Sequence, residues 1–159
     1  MIETFGIYMK ENGWNVEWNE TQSEYLPEII ANRYEKIPKQ WLDFIRSIKR
    51  MISPDETTWF LCAENFVMQH DETFQWNEWE SISLGSAEND MEWKSEIKRF
   101  WNNHLPIVMS VKSGYSYYAI AVKDGSIVYG EEPEFEECEI VAVSFTDFMK
   151  KFLNGELQL

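Results

Sequence analysis

Cysteine is nearly absent: Cys62 and Cys138 are the only two in 159 residues. Two thiols are too few for a secreted disulfide scaffold, and no CxxC or other metal-ligand spacing surrounds them. Histidine is as scarce, with His70 and His104 far apart and no HExxH or HxxxH pair. The seven glycines are scattered at turns, so no glycine-rich loop is present to cradle a phosphate. No GxSxG elbow occurs. No run approaches the ~20 apolar residues of a membrane span. The start, MIETFGIYMKENG, has no basic n-region and is interrupted by Glu3 and Lys10, so no signal peptide is expected. Basic residues are the last shortage: 14 Lys and Arg stand against 28 Asp and Glu, a net charge of −14 with His neutral. Binding to nucleic-acid backbone relies on Lys and Arg displacing counterions, and an anionic membrane surface repels an acidic chain. No nucleic acid and no membrane partner is therefore expected, and the reading is of a cytoplasmic protein with reduced thiols. A cationic protein partner, by contrast, is steered in by such a field.

Aromatic residues are abundant, with eight Trp, seven Tyr and ten Phe, and 44% of the chain is hydrophobic. A chain of this length buries roughly 68–70% of its unfolded surface, enough for one core without disulfides or metal. No repeat or Pro/Gly/Ser-rich linker divides it. The expectation is a single domain over 1–159, with an N-terminal helical extension over 1–35 and a core over 36–155.

Ile2, Phe5 and Met9 have helical spacing, and Asn12-Gly13 ends that turn, with a hairpin into WNVEW (14–18) as the alternative. Residues 23–34 read as a short helix with Ser23 as N-cap and Pro27 in the first turn. From Pro38 to Ile52, Trp41, Phe44, Ile45, Ile48, Met51 and Ile52 recur three and four apart, which predicts one amphipathic helix. TTWFLC (57–62) reads as a buried strand. A helix is predicted from about Met91 to Asn103 with Trp93, Ile97, Phe100 and Trp101 as its apolar stripe, and Pro106 beyond it. Strands follow at 107–112, 115–122, 126–130 and 140–143, turning at Ser113-Gly114 and Asp124-Gly125. Ser144 then caps a last helix with Asp147 in the capping-box position and Phe145, Phe148, Met149, Phe152 and Leu153 on its apolar face. The fold class is α+β: an antiparallel-rich twisted sheet, with a C-terminal meander, covered by N-terminal and C-terminal helices.

Little in this pattern points to catalysis. Cys62 lies in a buried run, and Cys138 sits among glutamates that disfavour a thiolate. His70-Asp71-Glu72 reads as a polar turn, and His104 as a helix-end residue favoured in its charged form there. Paired carboxylates beside many Trp fit a sugar-active hydrolase, yet 28 acids always offer such pairs. No cofactor, metal or catalytic residue is assigned. The feature above background is the acidic loop 131–139. Glu131, Glu132, Glu134, Glu136 and Glu137 surround Phe135 there, either as a solvated loop or as a landing strip for a basic partner with Phe135 as its aromatic anchor. Trp76 and Trp79 form a second candidate contact region, with core packing as the competing reading.

Four segments in order, IPKQWLDFI, FWNNHLPIVMSV, SGYSYYAIAVKDGSIVYGEEPE and VAVSFTDFMKKFL, make the chain resemble the SUKH superfamily of Smi/Knr-type proteins from about Pro38 to Leu153. The chain departs from the family's pattern at Gly114-Tyr115, where the family often has Gly-Asp. It departs again at Met51-Ile52-Ser53, where the family often has Asn-Gly after the first helix. The resemblance implies an α+β fold and binding rather than chemistry. In bacteria it implies an immunity protein that neutralises a toxin, often a nuclease or deaminase. Fungal members of the family instead imply a regulatory interaction protein, because a shared fold does not fix a function.

Overall fold

Among the described residues seven strands lie side by side in the order in which they occur in the chain, every neighbouring pair antiparallel. The computed structural model describes residues 1–21, 26–67 and 74–159. The elements are α1 (Ile2–Glu11), β1 (Asn15–Trp18), α2 (Glu28–Arg33), α3 (Lys39–Ser47), β2 (Ile48–Ile52), β3 (Thr58–Phe60) and a 3₁₀ turn (Ala63–Phe66). These are followed by α4 (Glu78–Ser86), α5 (Met91–Asn102), β4 (His104–Ser110), β5 (Ser116–Ala121), β6 (Ile127–Glu131), β7 (Cys138–Ala142) and α6 (Phe145–Leu153). The α+β class and the C-terminal meander are as expected.

The long helix expected over Pro38–Ile52 is two elements. Pro38 is the N-cap of α3 rather than part of its first turn, and the chain turns extended at Ile48 (φ −103, ψ 121) to run as β2. The reason the spacing misleads is a register shift. Glu17 pairs with Arg50 but Trp18 pairs with Ile48, so Lys49 is an extra residue on β2. That bulge changes the alternation by one and turns Ile48 and Met51, three apart, both inward, which imitates a helical face. The helical reading of Ile2, Phe5 and Met9 holds and the hairpin alternative does not: α1 ends at the Asn12 C-cap, Gly13 takes the left-handed conformation (φ +86), and WNVEW enters β1, whose partner is β2. Helix α2 begins only at Glu28 with Pro27 as its N-cap, and Ser23 and His70 lie outside the described residues. Strand β4 starts at His104, so Pro106 sits within it, at a second register shift where its missing N–H is tolerated.

The first 35 residues are not an appendage to the sheet. They supply its edge strand β1 and the buried Phe5, Met9, Val16, Ile30 and Tyr34. Alternation along β5 sends Tyr118 to one face of the sheet and Tyr117 to the other. On the first face α1, α3 and α6 bring together Phe5, Phe44, Phe60, Phe145, Phe148 and Phe152. The Ser144 hydroxyl accepts from the Asp147 N–H at 3.1 Å to cap α6, while the Asp147 carboxylate reaches back to the N–H of Val143 rather than Ser144. The second face is covered by α4 and α5.

Candidate functional site

The second face is built of Trp and Tyr, and the polar tips of Trp79, Trp101 and Tyr117 are used. Trp79 of α4 stacks on Tyr115 (4.5 Å, 22°) and on Phe135 (5.5 Å, 7°), and its Nε1 donates to the Ser116 carbonyl at 3.2 Å. Trp101 of α5 packs on Tyr117 at 4.9 Å and donates from Nε1 to Glu136 Oε1 at 2.8 Å. The Tyr117 hydroxyl donates to the Phe135 carbonyl. Burial pushes the Tyr117 hydroxyl pKa up, so it stays a donor at any physiological pH. Gly130, opposite Tyr117 on β6, is required by this packing, because a Cβ there would lie 2.5 Å from the Tyr117 ring. The aromatic layer therefore grips the loop 132–137 by one stacked ring, one carbonyl and one carboxylate. Backbone bonds from Glu132 N to Tyr115 O (2.8 Å) and Glu137 N to Glu134 O (3.0 Å) finish the loop.

Beside this loop lies a groove of about 460 Å³ between α4, α5 and residues 133–137. Ile82, Phe135, Pro133 and Trp93 give it apolar walls, and Glu134, Glu136 and Glu137 line its rim. Glu134 and Glu137 are exposed and Glu136 is half-buried. No Lys or Arg lines the groove among the described residues. A larger, more open depression of about 590 Å³ sits between α1 and Trp18, but Glu3 is its one ionisable side chain. It has no charge pattern to select a ligand.

The residues singled out from sequence separate here. Glu134, Glu136 and Glu137 come together at the groove. Glu131 is the last residue of β6 and accepts from the Tyr129 hydroxyl at 2.7 Å, and Glu132 packs against Gly114, so both face another part of the surface. Phe135 is not a projecting anchor: it is 2% exposed, sealed under Trp79. Trp76 and Trp79 are 6% and 1% exposed, which removes them as a contact region in favour of the core reading. Trp76 packs on Phe66 and takes the Arg33 guanidinium over its ring at 5.5 Å. That guanidinium also makes a bidentate pair with Glu80, both bonds 2.8 Å, and bonds Asn102 through Nε. Sequence reasoning instead missed Trp93. Placed on the apolar stripe of α5, it is 43% exposed. The helix buries Ile97 and Trp101, and Trp93 lies eight residues before Trp101, one position past a full two turns.

The remaining reactive groups are quiet. Cys62 is fully buried and its thiol is pushed up to about 12 by burial. Partial burial, rather than the neighbouring glutamates, raises the Cys138 thiol. His104 is not held in its charged form. Its Nδ1 donates to the Phe100 carbonyl at 2.8 Å, its ring stacks on Phe100 at 4.0 Å, and burial lowers its pKa below the ordinary value. Among the described residues no three His, Cys, Asp or Glu side chains gather where they could hold a metal ion, and no helix is long and apolar enough to cross a membrane. No family model, curated protein or solved structure matches the chain.

Proposed function

We propose that this chain is a non-catalytic protein-binding module of the cytoplasm that neutralises a basic toxin domain by direct binding. The observation that carries the reading is the groove. Its carboxylates are carried on a loop fixed in place by Trp79, Trp101 and Tyr117. A loop kept acidic only for solubility has no need of such a mount. A preorganised loop loses little backbone freedom on binding, and the charge of −14 speeds the approach of a cationic surface. Toxins that act on nucleic acid present such a surface to their substrate. The sequence resemblance to the SUKH superfamily is what favours a toxin over an endogenous partner.

The test is co-expression with a toxin encoded beside the gene. Growth should be restored by the wild-type chain and not by a Glu134→Lys, Glu137→Lys variant that accumulates to the same level. No rescue by the wild-type chain would overturn the toxin reading in favour of an endogenous regulatory partner. Rescue unaffected by the double reversal would overturn the groove.

A further inference from the structure

We propose that the groove is read by an arginine side chain of the partner, stacked on Trp93 and paired with Glu134 and Glu137. The proposal rests on the binding-module reading and names the chemistry of its contact. Three features of the groove select that occupant. Its walls are apolar at Ile82, Pro133 and Phe135, which favours a side chain with a hydrocarbon stem and a weakly hydrated head. Trp93 leaves 43% of its surface open, and an indole is the best ring for a cation over its face. The rim offers two exposed carboxylates with Glu136 already occupied by Trp101. A guanidinium can pair with a carboxylate through two N–H groups and stack at the same time, whereas an ammonium, compact and strongly hydrated, does neither as well. The chain already holds one arginine in this way. Arg33 lies over Trp76 and makes its bidentate pair with Glu80. A second copy of the chain is a poor occupant, because two bodies of charge −14 repel.

The experiment uses the full chain labelled with ¹⁵N and two uncharged-end peptides, acetyl-Gly-Arg-Gly-Arg-Gly-amide and its lysine counterpart. The Trp93 indole signal is assigned from a Trp93→Phe variant. The arginine peptide should shift the Trp93 indole and the 134–137 amides saturably. The lysine peptide should bind about two- to fivefold more weakly, the scale of an exposed cation–π contact. Trp93→Ala should weaken the arginine peptide by a similar factor, and Glu134→Gln with Glu137→Gln about tenfold. Equal binding of the two peptides, or shifts spread evenly over the acidic surface with Trp93→Ala inert, would overturn the proposal. So would signals that move with protein concentration and not with peptide, which point to self-association. If the arginine peptide fails but the double reversal still abolishes toxin rescue, only the arginine anchor falls; if rescue is also insensitive to the reversal, the groove itself is wrong.

Discussion

The two faces of the sheet are both aromatic and differ in kind. One is a layer of phenylalanines, Phe5, Phe44, Phe60, Phe145, Phe148 and Phe152, mostly in edge and tilted contacts, with Phe145 stacked on Phe148, and centroids between 4.9 and 6.2 Å apart. Rings without a polar atom contribute area and edge-to-face geometry but no direction. The other face is Trp79, Trp101, Tyr115 and Tyr117, and the N–H or O–H groups of Trp79, Trp101 and Tyr117 reach a carbonyl or a carboxylate. Such rings pack as well as Phe and also hold something at a defined place. The first face holds the chain together; the second does that and positions the acidic loop. The difference shows how a core can fix the geometry of a surface loop through the polar atoms of its rings.

The comparison is broken most severely by Phe148→Ala. Phe148 is 0% exposed and touches Tyr118, Phe145 and Phe152. Truncation should cost about 3–5 kcal/mol, read by denaturant titration. Below the melting transition the 134–137 amide signals should stay where they are. Gly130→Ala acts from the other face and should cost about 1–3 kcal/mol through overpacking against Tyr117, with those same loop signals displaced. Trp101→Phe keeps one aromatic ring but removes the donor to Glu136 and leaves a small void in place of the rest of the indole, for a loss of about 1–2 kcal/mol and a local shift around Glu136. The smallest effect is on pH dependence. His104 binds its proton less readily folded than unfolded, so its contribution is fully present above the ordinary histidine pKa and is lost as pH falls through its lowered folded value. Stability should therefore fall on acidification from pH 7 to 5. His104→Phe, which keeps the stack on Phe100, should flatten that slope.

The Phe face was legible in the sequence because α6 shows undisturbed 3.6-residue spacing between the Ser144 cap and Asn154. The hairpins around Gly125 and the order of the C-terminal strands were legible for a similar local reason, a positive-φ glycine between apolar runs. What could not be read needs partners distant in sequence. Ile48 to Ile52 become a strand because β1 pairs with them and a bulge at Lys49 resets the alternation. The acidic loop was legible as composition, but its division was not. Glu134 and Glu137 separate from Glu131 and Glu132 only because Phe135 is drawn inward to Trp79, more than fifty residues away in the chain. Trp93 had a signal that could have exposed it: Trp93 is flanked by Glu92 and Lys94 and is slightly off the stripe set by Ile97 and Trp101.

Hydrogen exchange at the amides of residues 132–137 tests the central claim, that the Trp and Tyr face fixes the acidic loop. In the wild-type chain the Glu132 and Glu137 amides, which donate to Tyr115 and Glu134, should be protected well beyond an unstructured loop. In a Trp101→Phe, Tyr117→Phe variant that protection should collapse while the amides of α6, on the Phe face, exchange as before. Wild-type loop amides that exchange at the free-chain rate, or protection that survives the double variant, would contradict the account.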